Sequence, residues 1–421
     1  MSKNLQVLLI CLLIAGTALR AEFPLNTIRF YDVRYWAYEH ECKAFDFGTY
    51  AMDWYDIKGM NCAKQHVGAL QLWNCTENAL AMVRGFDPAT QQGQIAAQLS
   101  NVPDDGIFGR YAVNGNLRVR EFGFGLQWHL PHDFLIGIYV PFVDASMQNI
   151  TWQRLQDASY TSAQILFDQL IGNDFFTRVN QLGNGLSINQ SWTKTGLGDI
   201  KSLIWWRRNF VQQKQILTDV LLGLRVGVSL PTGLRENPNL LLSMPFGNDG
   251  ATGVLFGGLI QFYWKRYFTG AIDADFMKLF GTSKVRRVQV DPLQTDHLFL
   301  AELLVRKDWG FVQRFNLWAG IHHLIDGASF DVGYQFLKQW ETELSVFDTG
   351  GQRFSLDIMN SAASLQEWML HQLWVSAKYT FNHNTQAFWL MPTIQLYWTN
   401  TFKATRGILN KSIGGTISFS F

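Results

Sequence analysis

The sequence predicts an all-β fold: a transmembrane antiparallel up-and-down β-barrel of about twelve strands, within a range of ten to fourteen, with helical external loops. Three observations predict it. First, the last nine residues, IGGTISFSF, place Ile413, Gly415, Ile417, Phe419 and Phe421 on one side and Gly414, Thr416, Ser418 and Ser420 on the other. That period-two pattern suits a strand with lipid on one face and a polar lumen on the other. Second, the same alternation recurs along the chain in segments about as long as a tilted strand needs to cross the hydrocarbon core. Third, only 16% of residues are charged while 14% are aromatic. Such a balance fits a lipid-facing surface better than two or three soluble domains.

The chain opens with Lys3, an apolar run over residues 7–15 and small residues before Glu22. This is the order of a signal peptide over residues 1–21, with cleavage expected after Ala21 or Ala18. Cys11 lies inside the apolar run behind Ile10, which disfavours lipoprotein-type cleavage. No later stretch has 18 uncharged apolar residues, and the best one, 220–230, is interrupted by Arg225, so transmembrane helices are excluded. A net charge of +1 with no basic tail gives no case for nucleic acid. The expected location is the bacterial outer membrane. The expected partners are the lipid bilayer, a small-molecule solute and, through the strand ending at Phe421, the barrel assembly machinery.

Residues 22–115 form an N-terminal region rich in cysteine and aromatic residues, followed by the barrel over 116–421. A first strand is expected over 27–38 (TIRFYDVRYWAY). Cys42, Cys62 and Cys75 allow one disulfide and one free thiol in an oxidising compartment, and their spacing resembles no metal site. Residues 41–113 look irregular, with turn signals such as Pro103-Asp104-Asp105-Gly106, and suit a plug, an external excursion or a periplasmic subdomain.

The remaining strands are expected over 122–130, 134–142, 200–210, 218–230, 254–264, 268–280, 311–321, 330–340, 369–381, 388–398 and 413–421. In 218–230, Val220, Leu222, Leu224, Val226, Val228 and Leu230 oppose Asp219, Gly223, Arg225, Gly227 and Ser229. Short connections near 131–132, 212–214, 265–266, 326–327 and 382–384 suit periplasmic turns. Long ones over 144–196, 231–250, 281–309, 342–367 and 399–411 suit external loops, with both termini periplasmic. The alternation holds if 297–305 is a helix inside its loop. Helix-like spacing over 159–176, 291–305 and 361–373 suits either packing over the barrel mouth or a partly apolar vestibule for hydrophobic solutes.

The run Gly196-Leu197-Gly198-Asp199-Ile200, then Trp205-Trp206-Arg207-Arg208-Asn209-Phe210, then Gly227-Val228-Ser229-Leu230-Pro231-Thr232-Gly233, carries a resemblance. It resembles outer-membrane transporters of long-chain fatty acids and aromatic hydrocarbons, and the barrels associated with phenol-degradation pathways. The resemblance implies passive uptake of hydrophobic small molecules. Physically, Gly196 and Gly198 permit an unusual backbone, Asp199 suits the cap of a strand start, and Pro231 ends a ladder. No short hatch follows the signal, so no ligand residue carries over.

Inward positions expected to line the lumen are Asp199, Lys201, Trp205, Arg207, Asp219, Arg225, Asp273, Asp275, Arg314, Trp318, Asp331, Trp374, Lys378 and Trp389, with Gln335 and Tyr397 beside them. The charges either pair across strands and fill the interior or line a path. There is no GxSxG, HExxH, P-loop or GxGxxG in strand-to-helix context, so no catalytic residue, metal or cofactor is assigned. His322-His323 suits an interface position at the periplasmic end. A channel for small hydrophobic or amphipathic solutes is therefore the leading expectation. A structural or surface-interaction barrel with a plugged lumen is second, and an outer-membrane hydrolase third.

Overall fold

The computed structural model describes residues 44–102, 106–155, 162–265, 267–322, 327–346, 355–381 and 391–421. Twelve antiparallel strands close into a barrel. They are β1 (Phe45–Met60), β2 (Arg110–Leu130), β3 (Phe134–Arg154), β4 (Trp192–Leu197, resumed at Lys201–Val211), β5 (Leu217–Ser229) and β6 (Gly253–Trp264). Then follow β7 (Phe268–Leu279), β8 (Val312–His322), β9 (Ala328–Gln339), β10 (Trp368–Thr380), β11 (Met391–Thr405) and β12 (Gly407–Ser420). Closure is made by β1, which pairs with β12 (Phe47↔Phe419) and with β2 (Phe47↔Leu126). Closing the sheet leaves no unpaired edge, the condition for crossing lipid with strands.

Alternation sets the two faces. On β5, Leu224, Val226 and Val228 are exposed while Arg225, Gly227 and Ser229 are buried. Leu396, Leu317 and Ile272 are 63%, 56% and 56% exposed on the outer face, which in a membrane is contact with acyl chains. Phe122 and Phe142 stack there with centroids 4.9 Å apart, one row below the outward Arg120–Asp144 cross-strand pair. Polar groups thus begin where the apolar belt ends, and the belt places the barrel in the outer membrane.

Several sequence expectations need correction. The closing first strand is Phe45–Met60; residues 27–38 lie outside the described residues. Periodicity hides β1 because its outward side carries Thr49, Ala51 and Asp53, whereas Tyr50, Met52 and Trp54 turn inward. The external loop expected at 399–411 does not exist, since β11 and β12 run almost to one another and turn at Arg406 with φ of 48°. Residues 301–308 form a strand rather than part of a helix, pairing with Thr282–Val288 and Glu343–Val346 in a small external sheet. In 361–373 there is only a 3₁₀ turn at Ala363–Leu365 before β10 begins, the helix α4 (Leu356–Asn360) preceding it. Helix α2 (Ser162–Leu170) does lie within 159–176, and a second helix, α3 (Phe175–Leu182), begins at its end and runs beyond it.

The segment 61–109 is an external excursion that joins the tops of β1 and β2 and carries α1 (Gln91–Gln98). The Thr90 hydroxyl caps α1 by accepting from the Gly93 N–H at 3.1 Å. Its apolar residues, Leu80, Met82, Val83 and Ile95, share a core with Phe167, Phe175, Val179 and Leu298 from two other external loops. The described parts of these loops pack together as a cap over the mouth.

Candidate functional site

Strand register builds the lumen in rows. Trp205, Arg225, Gly257, Asp275, Arg314, Leu337 and Leu370 follow one another across β4 to β10. The next row toward the periplasm holds Arg207, Gly223, Leu259, Asp273, Asn316, Gln335 and Gln372. At their junction Arg225, Arg314, Asp273 and Asp275 form a closed lattice. Arg225 donates through Nη2 to Asp273 and through Nε to Asp275. Arg314 Nη2 donates to Asp275 and, at 3.0 Å, to Asp273 Oδ2, which also accepts from Asn316 Nδ2 at 3.2 Å. The four charged side chains are at most 1% exposed. The Trp205 ring lies under the Arg225 guanidinium at 4.9 Å and the Arg207 guanidinium at 5.3 Å. Charges this deep are tolerated only when paired and hydrogen-bonded.

Gly257 makes the lattice possible. A Cβ on it would collide with Asp275 Oδ1 and lie 2.6 Å from the Ala274 carbonyl oxygen and 2.9 Å from Arg225 Nε. The missing side chain lets Arg225 reach across β6 to β7.

One row toward the exterior the character changes. Leu203, Leu255, Met277, Val312 and Trp368 are buried there with Trp309, Met60, Ala404 and Leu409, in an apolar cluster that reaches down to Trp205, Leu337 and Leu370 of the lattice row. Toward the periplasm, Trp374 is buried with its ring filling the space over Gly333, and Trp318 is half-buried on the same row. Asp219, Asp331 and Lys378 are half-buried near that end, and Asn209 Nδ2 donates to Asp219 at 3.0 Å. Lys201 is buried on β4, Gln335 on β9 and Tyr397 on β11, whose hydroxyl donates to the Ala51 carbonyl at 3.1 Å. Trp389 lies outside the described residues.

Asp199 does not start a strand. It sits in the break of β4, where its carboxylate accepts from the Gly233 N–H at 2.9 Å and the Asn248 N–H at 2.5 Å. Thr232 Oγ1 donates to the Gly198 carbonyl and accepts from the Ile200 N–H, both at 2.9 Å. The two motifs therefore pin the 230–252 loop to the wall.

Above the lumen lies a cavity of about 120 Å³. Its walls include Trp73, Leu241, Leu242, Met244, Leu344 and Met359, with Arg286, Lys307, Glu236 and His297 at intervals. Lys307 marks the side of the cavity that faces the lumen, because its Nζ lies 4.1 Å from the ring of Trp309, which belongs to the apolar cluster below. Beside the cavity, Asp249 accepts from Lys284 at 2.7 Å and pairs with Arg286 at 2.7 Å. Burial alone would raise its pKa, but Arg286, Lys284 and Lys307 outweigh that and hold the carboxyl below its ordinary range. Glu77, deep in the cap, goes the other way: burial pushes it up against the opposing charge of His297.

His322 sits at the periplasmic end of β8, where its Nε2 faces Thr269 Oγ1 at 2.8 Å and Asp331 Oδ1 at 3.6 Å. Cys62 and Cys75 are exposed thiols of the external segment, and Cys42 lies outside the described residues. Sequence reasoning missed Gly257, Asn316 and the Lys307–Trp309 pair. Alternation tells which way a residue points, but only register tells which residues meet.

No family model matches the chain, and comparison with curated protein sequences gives no match. Its fold has solved counterparts. An outer membrane channel from Pseudomonas putida F1 superposes with a TM-score of 0.50 at 10% identity, over 90% of this chain and 96% of the other. This chain has the fold of an outer-membrane channel. The toluene transporter TbuX of Ralstonia pickettii is similar more loosely, with a TM-score of 0.30 at 10% identity over 90% of this chain and 89% of that one. A FadL homologue from Pseudomonas aeruginosa gives 0.29 at 9% identity, over 90% of each chain.

Proposed function

We propose that this protein is a passive channel for small hydrophobic or amphipathic solutes. The observation that carries the reading is the mostly apolar cavity of about 120 Å³ in the cap, whose wall residue Lys307 packs on Trp309 of the apolar cluster in the lumen. An apolar cavity of about 150 Å³ accepts a benzene-sized molecule, so the scale suits a single ring or a short chain. Transfer from water into such walls is favourable by roughly 25 cal/mol per Å² of apolar surface. The scattered polar groups then serve amphipathic solutes. Purified protein in lipid vesicles should admit a small aromatic carboxylate faster than protein-free vesicles do, with little gain for glucose. Leu242→Arg, which places a charge in the cavity wall, should reduce that uptake. Equal rates in loaded and empty vesicles would contradict the proposal.

The filled lumen favours a second reading, a structural or surface-interaction barrel whose cap meets a partner. It predicts no flux of any solute from a fully folded sample. Export through a signal peptide over 1–21, and assembly through the strand ending at Phe421, are proposed with either reading. One disulfide among Cys42, Cys62 and Cys75 is also proposed, and counting alkylatable thiols in the exported protein checks it.

A further inference from the structure

We propose that the Arg225–Asp273–Asp275–Arg314 lattice is the gate of the transport path, and that Gly257 is the position that lets it close. The inference rests on the channel reading. In that reading a solute leaving the cap cavity passes through the apolar cluster and meets this lattice next, because the outer residues of the cluster and the lattice occupy adjacent rows of the same register. The four side chains come from β5, β7 and β8, and they join inward-facing groups of three separate strands across the lumen side of the wall. With exposures of at most 1% they leave no room for a solute beside them.

The lattice has the properties of a latch rather than of a filler. Its two positive and two negative charges cancel, so it adds no net charge to the path. Each arginine bonds both aspartates, so parting one contact leaves its partners within reach of the next, and closure recovers all of them together. Among the described residues, Arg314 Nε and Nη1 have no hydrogen-bond partner although the side chain is fully buried. A merely structural ion pair gains from satisfying every donor, since each buried unsatisfied one is costly. A group that must exchange partners as a solute passes has reason to keep donors in reserve. Trp205, stacked on Arg225 and Arg207, gives the arginine a flat apolar surface along which to swing.

Single-channel recording in planar bilayers tests the gate. Wild type should show brief openings from a closed baseline. Asp275→Asn keeps the shape and removes one charge from the latch, and Gly257→Ala places a methyl group where Arg225 and Asp275 meet. In both, open probability should rise on the order of tenfold, the shift expected when a charged buried hydrogen bond is lost from the closed state only. Strand content and gel mobility of the folded barrel should not change. If either variant fails to fold, the pair Asp275→Asn with Arg225→Gln, which leaves no uncompensated charge, decides the matter by the same rise. Steady current in wild type that none of these variants changes would overturn the gate while leaving the channel standing. Vesicle uptake at the protein-free rate in wild type and variants alike would overturn both.

Discussion

The wall of this barrel and its cap obey different rules. In the wall, each residue's role is set by its immediate neighbours: one side to lipid, the next to the lumen, and then a turn. The cap is assembled from parts of the chain that are remote in sequence. Asn74 and Asn78 bond Asp296 and Thr295 at 2.7 and 2.9 Å, His297 Nε2 meets the Leu70 carbonyl at 2.8 Å, and Gln294 donates to the carbonyls of Met82 and Arg84. Those partners are more than 200 positions apart. A wall can be read locally; a cap is known only once the wall has brought its loops together.

Substitutions in each region can break or sharpen this contrast. The largest effect is expected inside the wall. Arg314→Leu removes the cation that bonds both Asp273 and Asp275 from β8 and should cost about 3–5 kcal/mol, read from the urea midpoint of refolding into lipid. Leu224→Arg, on the lipid side and near mid-membrane, should cost about 2–4 kcal/mol in the same assay. Arg at the adjacent inward Gly223 should be limited by Leu259 and Arg207, which stand 3.4 and 3.5 Å from where its Cβ would sit, rather than by lipid. Equal tolerance at Leu224, Val226 and Ser229 would show that the register is wrong.

At the junction of wall and cap, Asp199→Ala strips acceptors from the Gly233 and Asn248 N–H groups and should cost about 1–3 kcal/mol. Its effect should appear as faster amide exchange across 230–252 with β4 to β6 unchanged. The smallest effects belong to the cap and depend on pH. Glu77 has a folded pKa above its unfolded one, so cap stability from this group falls as pH rises past the ordinary carboxylate value. Glu77→Gln should therefore slow exchange in the cap at neutral pH and remove that slope. Asp249 has the opposite sign: its contribution is present above its unfolded pKa and is lost as pH falls through the depressed folded value. Exchange over 282–308 should accelerate only in acid, and not in Asp249→Asn.

These contrasts explain what the sequence discloses. β5 through β10 lie within a few residues of their expected positions because each has an outward row of Leu, Ile, Val or Phe opposed by small or charged residues. β1 escapes because Thr49 and Ala51 face outward, and its place is fixed only by pairing with β12 and β2. Residues 301–308 look helical in isolation and become a strand because Thr282–Val288 and Glu343–Val346 flank them. In the lumen, Arg225, Asp273, Asp275 and Arg314 each reveal their inward direction through alternation. That they bond one another depends on register and on Gly257, which carries no signal of its own.

The most direct test of a filled, latched barrel is a spin-label scan along β5, from Val220 to Val228, in lipid vesicles, comparing access of oxygen with access of a water-soluble nickel chelate. High oxygen access is expected at Val220, Leu222, Leu224, Val226 and Val228, with low access of both reagents at Leu221, Gly223, Arg225 and Gly227. Nickel access at those inward positions would mean a water-filled lumen and would contradict the packed interior and its latch.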